Sequence, residues 1–313
     1  MALSNDEADI RLRTTTRSRL DNTGVVFFVV PAAVAVLVVL VGPLAMSAYY
    51  SFTGWKIIQP ATRNRLVGFD NYVDILSDGA FWNAIQVTLI YTVAGVLLQL
   101  AVGFALALLF RQEFPGRGIL RTLMILPMVI TPAVVGMFWK LLYDENYGVY
   151  NYALTSLGLA PMSWLSSTWA LASVVLMDVW ESSPFFMLVL LAGLQTENKE
   201  AIEAARIDGA SGWQIVLYLT LPHLVPYMAI ASAFRAIWSL SEFDKVYMLT
   251  LGGPGDATTT MSLYAFKVGF VTFDIGKISS VSWIIAILTL VVTAPLISYL
   301  LRGRNDGRDV VRK

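Results

Sequence analysis

Long apolar runs alternate with short polar ones along this chain. Six runs reach the roughly 20 mostly apolar residues that a helix needs to cross a hydrocarbon layer. They cover residues 25–50, 84–110, 119–142, 169–194, 224–249 and 278–301. The first, second and sixth hold no charged side chain. The third holds Pro127 and Pro132, and the fourth Asp178 and Glu181. The fifth holds Arg235, Glu242, Asp244 and Lys245 toward its end. Prolines are tolerable inside such spans where neighbouring helices or waters satisfy the freed carbonyls. The pattern predicts an all-α integral membrane protein with six transmembrane helices over residues 24–301, flanked by polar tails at 1–23 and 302–313. The first run is longer than the core of a signal peptide, about 7–15 residues, so it is expected to remain a span.

Composition strengthens this picture. Apolar residues make up 57% of the 313, and charged residues 14% against roughly 25% in an average soluble protein. Too few polar groups are present to cover a water-facing surface of this size, so membrane lipid is an obligatory partner. The formal net charge is zero and no basic stripe is visible, which argues against a nucleic-acid partner. There is no cysteine, and His223 is the single histidine. Disulfides, thiolate metal sites and multi-histidine cages are thereby excluded, and neither a metal nor a cofactor is expected.

Basic residues orient the spans, because Lys and Arg accumulate on the cytoplasmic side. With the N-terminus inside, the cytoplasmic segments hold Arg11, Arg13, Arg17, Arg19, Arg111, Arg117, Arg121, Lys199, Arg206, Arg302, Arg304, Arg308, Arg312 and Lys313. The exterior segments hold only Lys56, Arg63, Arg65, Lys245, Lys267 and Lys277. Both termini are therefore expected in the cytoplasm. Tyr49, Tyr50, Trp55, Trp82, Tyr143, Trp164 and Trp169 sit near span ends, as an interfacial aromatic belt requires.

The expected cytoplasmic loop at 195–222 is not an ordinary connection. Ala201, Ile202, Ala204, Ala205 and Ile207 are interleaved with Lys199, Glu200, Glu203 and Arg206. Asn198 is placed to start a helix and Gly209 to stop it. Ser211 and Gln214 have the spacing of a capping box for a second short helix, expected to end near Pro222. Small residues on one side would let another protein's backbone approach closely.

The run Glu203-Ala204-Ala205, followed by Asp208-Gly209-Ala210 and then Leu219, Leu221 and Pro222, resembles the EAA signature. That signature marks permease subunits of binding-protein-dependent ABC importers, and this form resembles the sugar-importer branch. A second stretch, FDKVYMLTLGGP over 243–254 with Thr258, Thr259, Thr260 and Tyr264 downstream, is similar to the maltose-type subunit of a sugar-permease pair. The resemblance spans nearly the whole chain. It implies the type I ABC importer permease fold and pairing with a second sugar-permease subunit. It also implies an ATP-binding cassette ATPase dimer docking at Glu203, Ala204, Ala205, Asp208, Gly209 and Ala210. An extracytoplasmic solute-binding protein would dock near Gly252, Gly253 and Pro254. The location implied is the bacterial cytoplasmic membrane, and the cargo a carbohydrate.

Ionisable groups inside spans are costly and are candidates for function. Arg235, Ser239 and Glu242 stand at i, i+4 and i+7 of the fifth run, so one helical face would carry them. Asp178 on the fourth run falls at a similar depth to Glu242. Carboxylates and hydroxyls beside aromatic rings suit a carbohydrate. The resemblance points to Asp178, Ser182, Ser239 and Glu242 as cargo contacts, with Thr131 beside Pro132 a weaker candidate. Arg235 either joins them or pairs with an acid. Asp244 and Lys245, near the outer interface, are expected to be solvated or snorkelling. His223 reads as an interfacial or capping residue.

Residues 269–277, GFVTFDIGK, lack the spacing of a phosphate-binding loop. No ATPase site, serine-hydrolase elbow or zinc signature is present, so the chain is expected to be a transport subunit without catalysis of its own. The alternative is a carrier driven by an ion gradient through the intramembrane acids. Many such carriers have inverted repeats, and none is visible here.

Overall fold

In this computed structural model the described residues are Phe27 and residues 29–310. The expected tail at 1–23 lies outside them, as do residues 311–313. The described residues are almost entirely helical, with isolated bridges such as Thr53 to Leu66 in place of strands. Among them, twelve helices longer than one turn follow in order. The first six are α1 Val29–Ser51, α2 Asp70–Leu76, α3 Gly79–Arg111, α4 Arg117–Val129, α5 Pro132–Leu142 and α6 Val149–Ser156. Then come α7 Ala170–Gln195, α8 Lys199–Ile207, α9 Gly212–Leu240, α10 Asp244–Thr250, α11 Met261–Val271 and α12 Ile275–Val310.

Five of these are long and apolar enough to cross a membrane, and α4 with α5 make a sixth if taken as one broken span. The third apolar run is therefore not a straight helix. It bends by 101° between α4 and α5. Pro132 disfavours helical backbone at the residue before it, and Ile130 and Thr131 are extended at ψ 138° and 132°.

The fifth run differs at both ends. Its helix begins at Gly212 and passes through Pro222, where the sequence predicted an end. A widened π-turn over Val216–Thr220 precedes the proline. It locally relaxes the spacing of the hydrogen-bond ladder, in which Pro222 cannot donate. The helix then stops at Leu240, and a new one starts at Asp244. An acid in the first turn suits the positive end of the helix dipole. At the other end of the chain, α12 continues to Val310, so residues 302–310 extend the last helix instead of forming a separate tail.

Helices α3 and α7 form the most extensively packed pair and the centre of the bundle. Two apolar cores lie along them. One gathers Tyr91, Trp139, Tyr143, Val174, Met177, Val246 and Leu249 from α3, α5, α7 and α10. The other gathers Ala107, Phe110, Met187, Leu190, Leu194 and Leu224 from α3, α7 and α9. Gln99 falls between them along α3, opposite the polar residues of α7.

Candidate functional site: a buried ion cluster, its cavity and an exposed loop helix

Asp178 and Ser182 share one face of α7 at i, i+4 spacing, with Glu181 alongside. Opposite them, α9 supplies Arg235 and Ser239, α3 supplies Gln99, and the α9–α10 junction supplies Glu242 and Lys245. Asp178 is fully buried. Its carboxylate accepts from Arg235 Nη2 at 2.5 Å, from Gln99 Nε2 at 2.7 Å, from Ser182 Oγ at 3.4 Å and from Lys245 Nζ. Arg235 Nε donates to Gln99 Oε1 at 2.8 Å, which closes a ring of three side chains. Lys245 Nζ also reaches Glu181 Oε2 at 2.7 Å and Glu242 Oε2 at 3.1 Å. A buried ion costs several kcal/mol unless it is paired and hydrogen-bonded, and this network pairs every charge it buries.

Backbone packing aims Lys245 inward. A Cβ at Gly136 on α5 would lie 2.8 Å from the Lys245 carbonyl oxygen and 2.9 Å from Met248 Cβ. The absent side chain lets α10 rest directly on α5 and carry Lys245 into the bundle. Lys245 is 2% exposed, which overturns the expectation of a snorkelling side chain. Only Asp244 faces solvent, as expected. Glu242 is not on the Arg235 helical face either, because α9 ends before it. It reaches Lys245 through the break, and its side chain also accepts from the Lys245 backbone N–H at 3.3 Å.

A cavity of about 600 Å³ lies against this cluster. Ser182, Arg235 and Glu242 line it, together with Glu181, Asp244, Lys245, Ser241, Phe185, Trp238 and Phe243. It is open on the side of Met128, Pro132 and Trp238, all exposed. Phe185 and Trp238 sit with ring centroids 5.5 Å apart on one wall. The volume falls in the usual range for small-molecule sites, about 300–1,000 Å³.

Three expected cargo contacts do not reach this space. Asp178 lies behind Arg235 and Lys245, so it organises the wall and does not face the cavity. Ser239 is 1% exposed, and its hydroxyl has no partner among the described residues. Thr131 is exposed at the α4–α5 bend, and its neighbour Pro132 lines the cavity in its place. Glu181, Lys245 and the aromatic wall line the cavity without having been among the expected cargo contacts. The sequence did carry one signal for Lys245. Glu242 and Asp244 just before it are the kind of acids that start a helix, and a restarted helix turns the lysine to a new face.

At one end of the bundle α8 stands outside the packed core. Asn198 Oδ1 accepts from the backbone N–H groups of Glu200 and Ala201 and starts it. Gly209, at φ 83°, stops it. The Gly209 N–H donates to Arg206 O, and the Ala210 N–H to Ala205 O at 2.9 Å, the paired bonds of a Schellman end. The Ser211–Gln214 capping box is present in both directions. Glu203, Ala204, Asp208 and Gly209 are exposed, Ala205 and Ala210 partly so. Ile202 is the one buried residue of α8. Ile207 is 86% exposed and Trp213 70%.

The base of α8 is fixed to the bundle. Glu197 pairs with Arg111 at 2.9 Å and accepts from Thr220 Oγ1 at 2.6 Å. The Thr196 hydroxyl lies 3.1 Å from His223 Nε2 and 2.9 Å from Tyr227 OH. His223 Nε2 is also 3.1 Å from the Gly193 carbonyl, so the histidine closes the end of α7.

The glycine turn after α10 is folded into the protein. Gly252 is buried at φ 88°, and a Cβ there would lie 2.5 Å from Thr259 Oγ1. Gly253 is half-buried and Pro254 exposed. Lys267 Nζ donates to Asp256 at 2.6 Å, and Asn83 Nδ2 donates to the Asp256 carbonyl at 2.9 Å, tying the turn to α3 and α11. Bonds from Lys267 and Thr259 hold the Asp256 carboxyl below the usual carboxylate range.

A "Probable ABC transporter permease protein y4oQ" of Sinorhizobium fredii is 52% identical over 93% of this chain and 94% of its own length. The trehalose/maltose transport system permease protein MalF of Thermococcus litoralis is 36% identical over 88% of this chain and 92% of its own. Among solved structures, a bacterial ABC transporter that imports the acidic polysaccharide alginate superposes with a TM-score of 0.78 at 22% identity. That match covers 93% of this chain and 99% of the other, and it carries the fold. Residues 99–304 match the family described as the binding-protein-dependent transport system inner membrane component. The bent α4–α5 pair, the capped α8, the central helix α7 and the end of α3 fall in that stretch, and this multi-pass membrane protein therefore belongs to that family of ABC importer permeases, with their type I fold.

Proposed function

We propose that the chain is one transmembrane subunit of an ATP-driven importer that moves a carbohydrate into the cell. The carrying observation is that two unlike features share one rigid frame. A cavity with carboxylates, hydroxyls and aromatic rings sits inside the bundle, and a firmly capped helix with bare side chains sits at its end. Carboxylates accept hydrogen bonds from sugar hydroxyls, and Trp238 and Phe185 offer flat apolar faces to a ring. The trehalose/maltose specificity named for the Thermococcus relative supports a neutral or weakly polar sugar as cargo.

The cavity is open along α4, α5 and α9, where Met128, Pro132 and Trp238 are exposed. A second, similar permease would complete the pathway there. Helix α8 would dock into a groove of a cytoplasmic ATPase subunit through Glu203, Ala204, Ala205, Asp208, Gly209 and Ala210, with Ile207 and Trp213 filling apolar pockets. The chain itself then needs no ATPase site. Both termini would be cytoplasmic, which puts the Gly252–Pro254 turn outside, where a loaded binding protein would dock. A binding protein that prefers the outward-open state shifts the pair toward it. ATP binding and docking must then strengthen each other by the same factor.

Asp178 is enclosed by two cations, which disfavours its use as a proton carrier and with it the gradient-driven alternative. The experiment is uptake of labelled trehalose and maltose by vesicles that hold the complete complex. Uptake that needs ATP and survives an ionophore supports the importer. Uptake abolished by the ionophore and indifferent to ATP would overturn it.

A further inference from the structure

The charges around the cavity are unevenly placed. Four carboxylates, on Asp178, Glu181, Glu242 and Asp244, stand against two cations, Arg235 and Lys245. Both cations line the volume, but each is little exposed and already engaged. The Arg235 side chain is 6% exposed and bonded to Asp178 and Gln99, and that of Lys245 is 3% exposed and bonded to three carboxylates. The accessible side belongs to acids. The Glu242 side chain is 11% exposed, and Asp244 is exposed with no ion pair or hydrogen bond from its side chain among the described residues. Phe185, Trp238 and Phe243 make much of the remaining wall apolar, so charge acts over a longer range there than in water.

We infer that this cavity excludes anions, so that the cargo carries no carboxylate, sulfonate or phosphate, with Glu242 and Asp244 as the residues that set the selection. The inference rests on the reading of the cavity as the carbohydrate pathway. An anionic sugar entering it sheds water and meets a wall with more acids than cations, on which Asp244 has no ion pair among the described residues and Glu242 shares Lys245 with two other acids. Arg235 cannot swing out to receive it without giving up its buried bonds to Asp178 and to Gln99 Oε1. A neutral sugar meets no such barrier, and its hydroxyls donate to the same carboxylates.

The chain has no cysteine, so Ser241→Cys places one thiol on the cavity wall. In the assembled complex, its reaction with a trimethylammonium-bearing and a sulfonate-bearing methanethiosulfonate is followed by mass on this chain. After correction for the ratio on free 2-mercaptoethanol, the cationic reagent should react roughly tenfold faster. Asp244→Asn and Glu242→Gln, each added to Ser241→Cys, should both move the ratio toward one. A corrected ratio of one or below in the parent overturns the inference, as does a ratio unmoved by both changes.

A second arm measures protection of the same thiol from a neutral maleimide by trehalose or maltose and by a glucuronate-terminated disaccharide. Protection by a neutral sugar alone supports the selection, and equal or better protection by the acid overturns it. A strong charge ratio without protection by any sugar leaves the exclusion standing and overturns the carbohydrate reading.

Discussion

The ion cluster and helix α8 are both dense in charge, yet they are built in opposite ways. In the cluster, side chains from α3, α7, α9 and α10 satisfy one another, and only the rim around Glu242 and Asp244 is left for a visitor. In α8 the backbone is satisfied and the side chains are not. Asn198 and the Gly209 end fix its backbone, the Ser211–Gln214 box fixes the start of α9 that follows, and Glu203, Ile207 and, on α9, Trp213 are exposed. A fixed backbone with unoccupied side chains is preorganised for a partner, because little freedom remains to be lost on docking. A satisfied cluster holds helices in place. Substitutions should therefore cost stability in the first region and assembly in the second.

The largest effect is expected from Asp178→Ala. It leaves Arg235 and Lys245 in the bundle without their shared acceptor, and breaking a buried pair in this way costs about 3–5 kcal/mol. Thermal unfolding of the purified complex should move sharply downward, and an unchanged midpoint would show that the cluster does not hold the helices. Gly136→Val comes next. It pushes α10 off α5 and lifts Lys245 from its partners, at about 1–3 kcal/mol for an overpacked contact. Lower thermal stability together with weakened uptake is the expected pair of outcomes. A variant as stable and as active as the wild type would show that the close approach of α10 to α5 is dispensable.

Ser211→Ala should cost about 1 kcal/mol as a lost cap, and only locally. Hydrogen exchange should quicken at residues 211–216 while the amides around Asp178 keep their protection. Exchange that quickens in both regions would mean that they are not independent. The smallest effect concerns the Gly252 turn. The Asp256 carboxyl is held below its ordinary range by Lys267 and Thr259. Its contribution is therefore complete above the unfolded value of about 3.9 and is lost as pH falls through the lower folded value. The pair is solvent-exposed, so it is worth less than about 1 kcal/mol. Exchange in the 250–260 turn should stay flat from neutral pH to about pH 4 once corrected for intrinsic rates, then rise.

The same contrast explains what could be read from the sequence. The six apolar runs, the Asn198 and Gly209 ends of α8 and the Ser211–Gln214 box are local signals, written within a few residues of where they act. The partner of Asp178 was half legible, because Arg235 lies in an apolar run and must be paired. Lys245 was legible only through the acids that restart the helix before it. Its burial depends on the break after Leu240 and on the missing side chain at Gly136, roughly a hundred positions away. The passage of α9 through Pro222 was hidden for a similar reason. Pro222 reads as a stop in the sequence, and the π-turn that lets the helix continue leaves no mark in composition.

The most direct test of the account is to isolate the tagged chain from its host under gentle solubilisation, as wild type and as Glu203→Lys, and to quantify the proteins that come with it. A second permease is expected with both forms, and an ATP-binding cassette ATPase with the wild type that is strongly depleted with Glu203→Lys. A homo-oligomer without ATPase, or ATPase recovered equally with both forms, would contradict it.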